Sequence, residues 1–137
     1  MYMEQYNKLI GTIASIRDVR IKRNAHEYSH ELGVALETKF KFSKSSSKGN
    51  VYLNIVFFDA SKNEEIDKEN IEKNCEAVIN LNYLVILPEE VSCFFNEKLQ
   101  DKEIWEYIYP QVKVDVALYC NSICLPNFII PRNIDRR

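Results

Sequence analysis

Two prolines near the end of the chain, Pro126 and Pro131, constrain its folding more than any other pair of residues. Each lacks a backbone N–H and pushes the residue before it toward extended geometry, so neither a helix nor a central strand runs through them. Between them lies the apolar triplet Phe128, Ile129 and Ile130, too short for an ordinary helix. The stretch Lys102 to Asp135 therefore divides in two. In its first part Ile104, Trp105, Ile108, Val112, Val116, Tyr119, Cys120 and Ile123 recur at helical spacing and share one broad face. A long amphipathic helix is expected there, followed by an extended apolar loop. Such an ending suits a protein that binds rather than one that catalyses.

The rest of the chain supplies the sheet for that helix. Leu9 to Lys22 reads as a strand whose apolar parity switches: Ile10, Thr12, Ala14 and Ile16 share one face, Val19 and Ile21 the other. The switch predicts a bulge near Arg17-Asp18. Arg23 to Leu32 is a polar crossover. Gly33 to Phe42 alternates cleanly, with Val34, Leu36, Thr38, Phe40 and Phe42 on one side, as a strand with one wet face does. Ser43 to Asn50 reads as a solvated connection, with Gly49 and Asn50 as turn residues. Val51 to Ala60 is apolar on both faces and expected to be central; Ser61 to Lys73 reads as a charged loop. Glu72 to Leu87 is the fourth strand, with Asn80 and Asn82 opposite its apolar face. Pro88, Glu89 and Glu90 open a short helix carrying Val91, Phe94, Phe95 and Leu99.

Strands first and helices last make an α+β order: a four-stranded antiparallel sheet with C-terminal helices on one face. The 137 residues suit one domain with a real core. A net charge of −2 gives no drive toward nucleic acid, and the basic strip of Lys39, Lys41, Lys44 and Lys48 reads as a solvated strand face. No apolar run approaches the roughly 18 residues of a membrane span. The start, MYMEQYNK, lacks the apolar core of a signal peptide, which places the chain in the cytoplasm. The four cysteines form no CxxC pair; Cys120 and Cys124, four apart, are expected as small buried hydrophobes on one helix face. Trp105, Tyr109, Tyr119, Phe128, Ile129 and Ile130 all follow the sheet, more apolar surface than one small sheet face covers. Either subunits associate or a groove stays open for a ligand.

The layout and the ending resemble the SecB family of protein-export chaperones. In that family a helix begins near an aromatic-proline pair, matched here by Tyr109-Pro110. A proline-punctuated apolar loop follows, matched by Leu125-Pro126, Phe128, Ile130-Pro131 and Asn133-Ile134. Ile16-Arg17-Asp18-Val19 is similar to the end of the family's first strand. The resemblance implies a single SecB-like domain over 1–137 and a homotetramer built as a dimer of dimers. It implies no catalytic residues and no cofactor. Its implied partners are unfolded or nascent polypeptides, held by their apolar segments. The expected peptide-binding residues are Tyr28, Phe40, Phe42, Phe128 and Ile130, and the expected subunit contact is the helix face of Val112, Val116 and Tyr119. Docking to the export motor SecA would use Asp18, but the family's second acidic position is Lys22 here. A dedicated client, such as a toxin or antitoxin, is a variant of the same reading.

One motif points elsewhere. His26-Glu27-Tyr28-Ser29-His30 has HExxH spacing, which on a helix turns both imidazoles to one side to hold Zn²⁺, with Glu27 as general base of a metallopeptidase. Its flanks, Lys22 to Asn24 on one side and a strand on the other, are not those of a buried helix, and Leu36 stands where a third ligand would follow. The motif is read as part of the polar crossover.

Overall fold

The computed structural model describes residues 13–42, 48–61, 75–87, 101–126 and 128–132. The elements are β1 (Ile13–Arg23), β2 (Leu32–Phe42), β3 (Lys48–Asp59), β4 (Ala77–Ile86) and a helix, α1 (Asp101–Ser122). The strands form one sheet in the order β1-β4-β3-β2, with every neighbouring pair antiparallel. The chain is therefore α+β, with a four-stranded antiparallel sheet followed by a C-terminal helix. No helix among the described residues is long and apolar enough to cross a membrane.

Strand chemistry accounts for the placement. β3 and β4 carry apolar side chains at nearly every helix-facing position, and they hold the centre. Val51, Ile55, Ile79, Tyr83 and Val85 are wholly buried there. Complete burial of each such side chain is worth roughly 1.5–3 kcal/mol. The charged strands β1 and β2 take the edges, where charge discourages unwanted strand pairing. The β1/β4 register shifts between Ile16 and Asp18, leaving Arg17 as the extra residue. The bulge turns the two parity sets of β1 to one side, so Ile16 and Ile21 both pack against the core.

Because β1 and β2 lie at opposite edges, residues 24–31 must pass across one end of the sheet. Glu76 pegs this crossover. Its carbonyl accepts from the Asn24 and Ala25 amides at 2.8 and 3.0 Å, and its Oε1 accepts from the Ser29 amide at 3.0 Å and from the Ser29 hydroxyl. Two glycines permit tight cross-strand cover. The Phe42 ring lies over Gly49 and the Phe58 ring over Gly33, where any Cβ would overlap the aromatic carbons.

Several sequence expectations are corrected here. Lys48, Gly49 and Asn50 form the start of β3 instead of a turn, because they pair with Phe42 and Lys41 on one side and with β4 on the other. The helix spans Asp101–Ser122, as the apolar repeat predicts, so Pro110 lies inside it and not near its start as the resemblance implies. Pro110 is exposed. A proline removes one backbone donor from a helix, a loss that costs least on a side facing water. Cys124 does not share a helix face with Cys120. It sits beyond the helix with φ 56°, in the left-handed region. The Leu125 amide bonds the Cys120 carbonyl at 2.9 Å and the Cys124 amide bonds the Asn121 carbonyl at 3.1 Å, a Schellman termination. The expected short helix with Val91, Phe94, Phe95 and Leu99 lies outside the described residues, as do 43–47 of the β2–β3 connection.

Candidate functional site

The helix lays Ile104, Trp105, Ile108, Val112, Val116 and Cys120 onto the sheet, all buried. The opposite side of α1 presents Val114 and Leu118, 63% and 61% exposed. The expected subunit contact through Val112 and Val116 is thereby corrected. Their face is the core of the single chain, and Tyr119 packs half-buried at its margin.

The proline loop is strapped back along the helix instead of projecting from it. Trp105 Nε1 donates to the Arg132 carbonyl at 2.7 Å, and the Tyr109 hydroxyl donates to the Ile130 carbonyl at 2.6 Å. These bonds satisfy carbonyls that prolines and extended backbone leave without a ladder. Ile130 is thereby driven into the core at 1% exposure, so it offers nothing to a guest in this state. Phe128 stays half-buried, its ring edge-on to Phe57 with centroids 5.6 Å apart. Ile129 between them is 69% exposed.

Tyr28 is a latch. Its hydroxyl donates to the Ile123 carbonyl at 2.6 Å, and the Arg23 guanidinium lies 4.5 Å from its ring centroid. Arg23 also reaches the carbonyls of Ala25 and His26 at 2.9 Å each. Together they tie the crossover to the end of the helix. Partial burial raises the Tyr28 pKa, against the opposing pull of Arg23. His26 and His30 lie on this non-helical crossover and are exposed. The four-residue spacing that would converge two imidazoles on a helix has no helix to act through, and no metal-competent cluster occurs among the described residues.

On the helix side of edge strand β2, the described residues leave an apolar strip incompletely covered. Val34 is 38% exposed, and Leu36, Thr38, Phe40 and Phe42 are half-buried. Their cross-strand partners Phe57, Ile55, Leu53 and Val51 are buried. The strip thus steps down from an open edge into the core. Phe128, packed on Phe57, stands at its Val34 end. Phe42 covers Gly49, and Val34 is the most open member of the strip.

The other face of the sheet is of different chemistry. Two rows cross it: Arg20, Asn80, Asn54 and Glu37, then Asp18, Asn82, Tyr52 and Lys39. They line a trough of about 640 Å³. Asn80 donates to Asn54 Oδ1 and Asn82 donates to Asp18 Oδ2, each at 3.4 Å. The Oδ1 atoms of Asn50, Asn80 and Asn82 have no hydrogen-bond partner. Sequence reading singled out Asp18 on this face but treated Asn80 and Asn82 only as polar alternates. Two asparagines two apart on a central strand were the available signal, since central strands disfavour them.

Interior titrating groups are shifted by the core. Burial, then the 2.8 Å hydrogen bond to Asp115, raises the Tyr83 hydroxyl far above its usual value. Burial pushes the Cys120 thiol up to about 11.

No protein-family model and no curated protein sequence matches the chain. Among solved structures it is similar to a SecB-like chaperone of Mycobacterium tuberculosis in complex with a ChAD peptide from the HigA1 antitoxin. The identity is 14%, 88% of each chain is covered, and the TM-score is 0.42. A likeness that distant leaves the function to the chain's own residues.

Proposed function

We propose that this chain is a holding chaperone that binds extended apolar segments of unfolded polypeptides along β2 and beside the proline loop. The observation that carries the reading is the half-covered strip of Val34, Leu36 and Phe40 on an edge strand, with Phe128 standing at one end. An edge strand offers a guest main-chain hydrogen bonds that ignore sequence, and the strip offers contact to every second side chain. Such a protein suppresses folding or aggregation by binding the unfolded state and needs no catalytic group. The resemblance of the Leu125–Ile134 loop to the SecB family supports the same reading. Within it, Phe40 and Phe128 touch the guest. Tyr28, Phe42 and Ile130 shape the site from behind: the Tyr28 hydroxyl is bonded to the Ile123 carbonyl, Phe42 covers Gly49 and Ile130 is buried.

The test is suppression of aggregation of a reduced, unfolded client by purified full-length protein. Wild type suppresses it, and the Phe40→Ser, Phe128→Ser double variant needs about tenfold more protein for the same effect. Amide exchange read alongside shows client-dependent protection along β2. Loss of suppression without change in the far-ultraviolet spectrum supports the site. A wild-type chain that never suppresses aggregation overturns the function, and suppression untouched by the double variant overturns the site.

A further inference from the structure

We infer that β2 selects its guest by charge, and that this chain takes segments in which apolar residues alternate with acidic ones. The inference deepens the chaperone reading and rests on it, since it concerns the guest of the same edge strand. It follows from the side of β2 that the apolar strip does not use. Successive side chains of a strand point to opposite faces. Leu36 and Phe40 pack toward the core, while Glu37, Lys39 and Lys41 line the outer trough.

A guest strand added at this edge alternates in the same way. With its apolar residues on the strip, the residues between them stand beside Glu37, Lys39 and Lys41. A slip by one residue sets the guest's apolar groups against those charges and its polar groups against the strip. The strip therefore fixes which guest residues meet the lysines. The charges they meet are unequal, two cations to one carboxylate. Lys39 and Glu37 lie 3.7 Å apart, with side chains 64% and 41% exposed. An ion pair so open to water holds weakly, and an ammonium with three hydrogens can meet a second carboxylate. Lys41 is exposed and has no carboxylate partner among the described residues; its ammonium lies 5.6 Å from the Tyr52 ring centroid. The β3 residues paired with Lys39 and Lys41 are Tyr52 and Asn50, both uncharged. Neither lysine finds a counter-charge on the strand beside it, and the other side of β2 is open.

Opposite charges on facing residues stabilise a pair of strands, and like charges directly opposite destabilise it. Carboxylates at the two guest positions beside Lys39 and Lys41 are favoured, and lysine or arginine there is opposed. The position beside Glu37 takes a cation or an uncharged residue. The guest class is thus an extended segment with acidic residues two apart and apolar residues between and beyond them. This preference has the opposite sign to the one the whole molecule sets. A net charge of −2 attracts basic peptides at long range. Tighter binding of an acidic peptide therefore reports the lysines of β2 and not the overall field.

Fluorescence anisotropy on the full chain tests this with two labelled peptides. Both carry leucine and phenylalanine at alternate positions; one has glutamate between them and the other lysine. At low salt the glutamate peptide binds about tenfold tighter, and added salt narrows the gap. Lys39→Gln and Lys41→Gln each narrow it, and Lys39→Glu with Lys41→Glu reverses the order. Arg20→Glu with Lys22→Glu makes the same change in net charge on the same face at the β1 edge, and leaves the order as it was. Far-ultraviolet spectra check that each variant is folded. Equal binding of the two peptides, or tighter binding of the lysine peptide, overturns the inference. So does an order that moves as far with the β1 pair as with the β2 pair. Suppression of client aggregation, read on the same protein, separates the two levels. A chain that suppresses aggregation but binds neither peptide overturns the charge selection alone, and a chain that does neither overturns the chaperone reading with it.

Discussion

The two faces of one sheet are built from alternate residues of the same four strands, yet they obey different rules. On the helix side, Leu53 and Leu81 are 2% exposed and packed beneath α1. One residue along, Asn54 and Asn80 floor the outer trough. Side chains on the helix side are specified by volume, because a buried apolar group is stabilised in proportion to the area withdrawn from water. Those on the outer side are specified by charge and amide pairing, which stay solvated or find a partner at small net energy. The difference separates stability from recognition. The helix side keeps the chain folded and leaves an incompletely covered margin along β2, where we propose that a guest binds, while the outer side carries a pattern of charges that a volume-driven core would not need.

The largest effect expected from this contrast comes from one pair of neighbours. Leu53→Asn removes a buried side chain and leaves an amide without partners, costing about 4 kcal/mol of unfolding free energy by urea titration. A cost near that of an exposed residue would erase the distinction between the faces. Next comes alkaline pH. The Cys120 thiol titrates near 9 when unfolded and near 11 when folded. Between those values the folded state keeps a proton that the unfolded state has lost, so its contribution is full below pH 9 and falls away as pH rises through 11. Tyr83, raised in the same sense, extends the loss upward from its ordinary value of 10. A fall on the order of 2 kcal/mol is expected across that window, and Cys120→Ala flattens its lower part. Unchanged stability from pH 8 to pH 11 would contradict the burial of the thiol.

Smaller effects sharpen the comparison at its borders. Cys124→Gly relieves a left-handed backbone at the helix terminus and raises unfolding free energy by about 1 kcal/mol. Destabilisation instead would show that the exposed Cys124 side chain makes a needed contact. Asn54→Val, on the outer face beside Leu53, changes the stability of the single chain by about 1 kcal/mol or less, in contrast to its neighbour.

Much of the fold was legible in local periodicity. The switch of parity at Arg17-Asp18 located the bulge, the alternation of 33–42 located a strand with one wet face, and the 3.6-residue repeat from Ile104 to Ile123 located the buried face of α1. Each is a matter of which neighbours share a side, and that is set by backbone geometry over a few residues. What such a side meets is not. The repeat that collected Val112 and Val116 onto one face could not say whether that face met a second subunit or the chain's own sheet, and the sheet claimed it. Ile130 read as surplus until Trp105 and Tyr109 were found bonding the loop carbonyls and drawing it inward. The HExxH spacing had meaning only on a helix, and strand order required residues 24–31 to span the sheet end as an irregular crossover. Arg20 and Asp18 on β1 and Glu37 and Lys39 on β2 close the same two rows from opposite edges of the sheet. They do so only because β3 and β4, the more apolar strands, took the centre. Pairing between strands distant in sequence decides such juxtapositions, and local pattern carries no record of it.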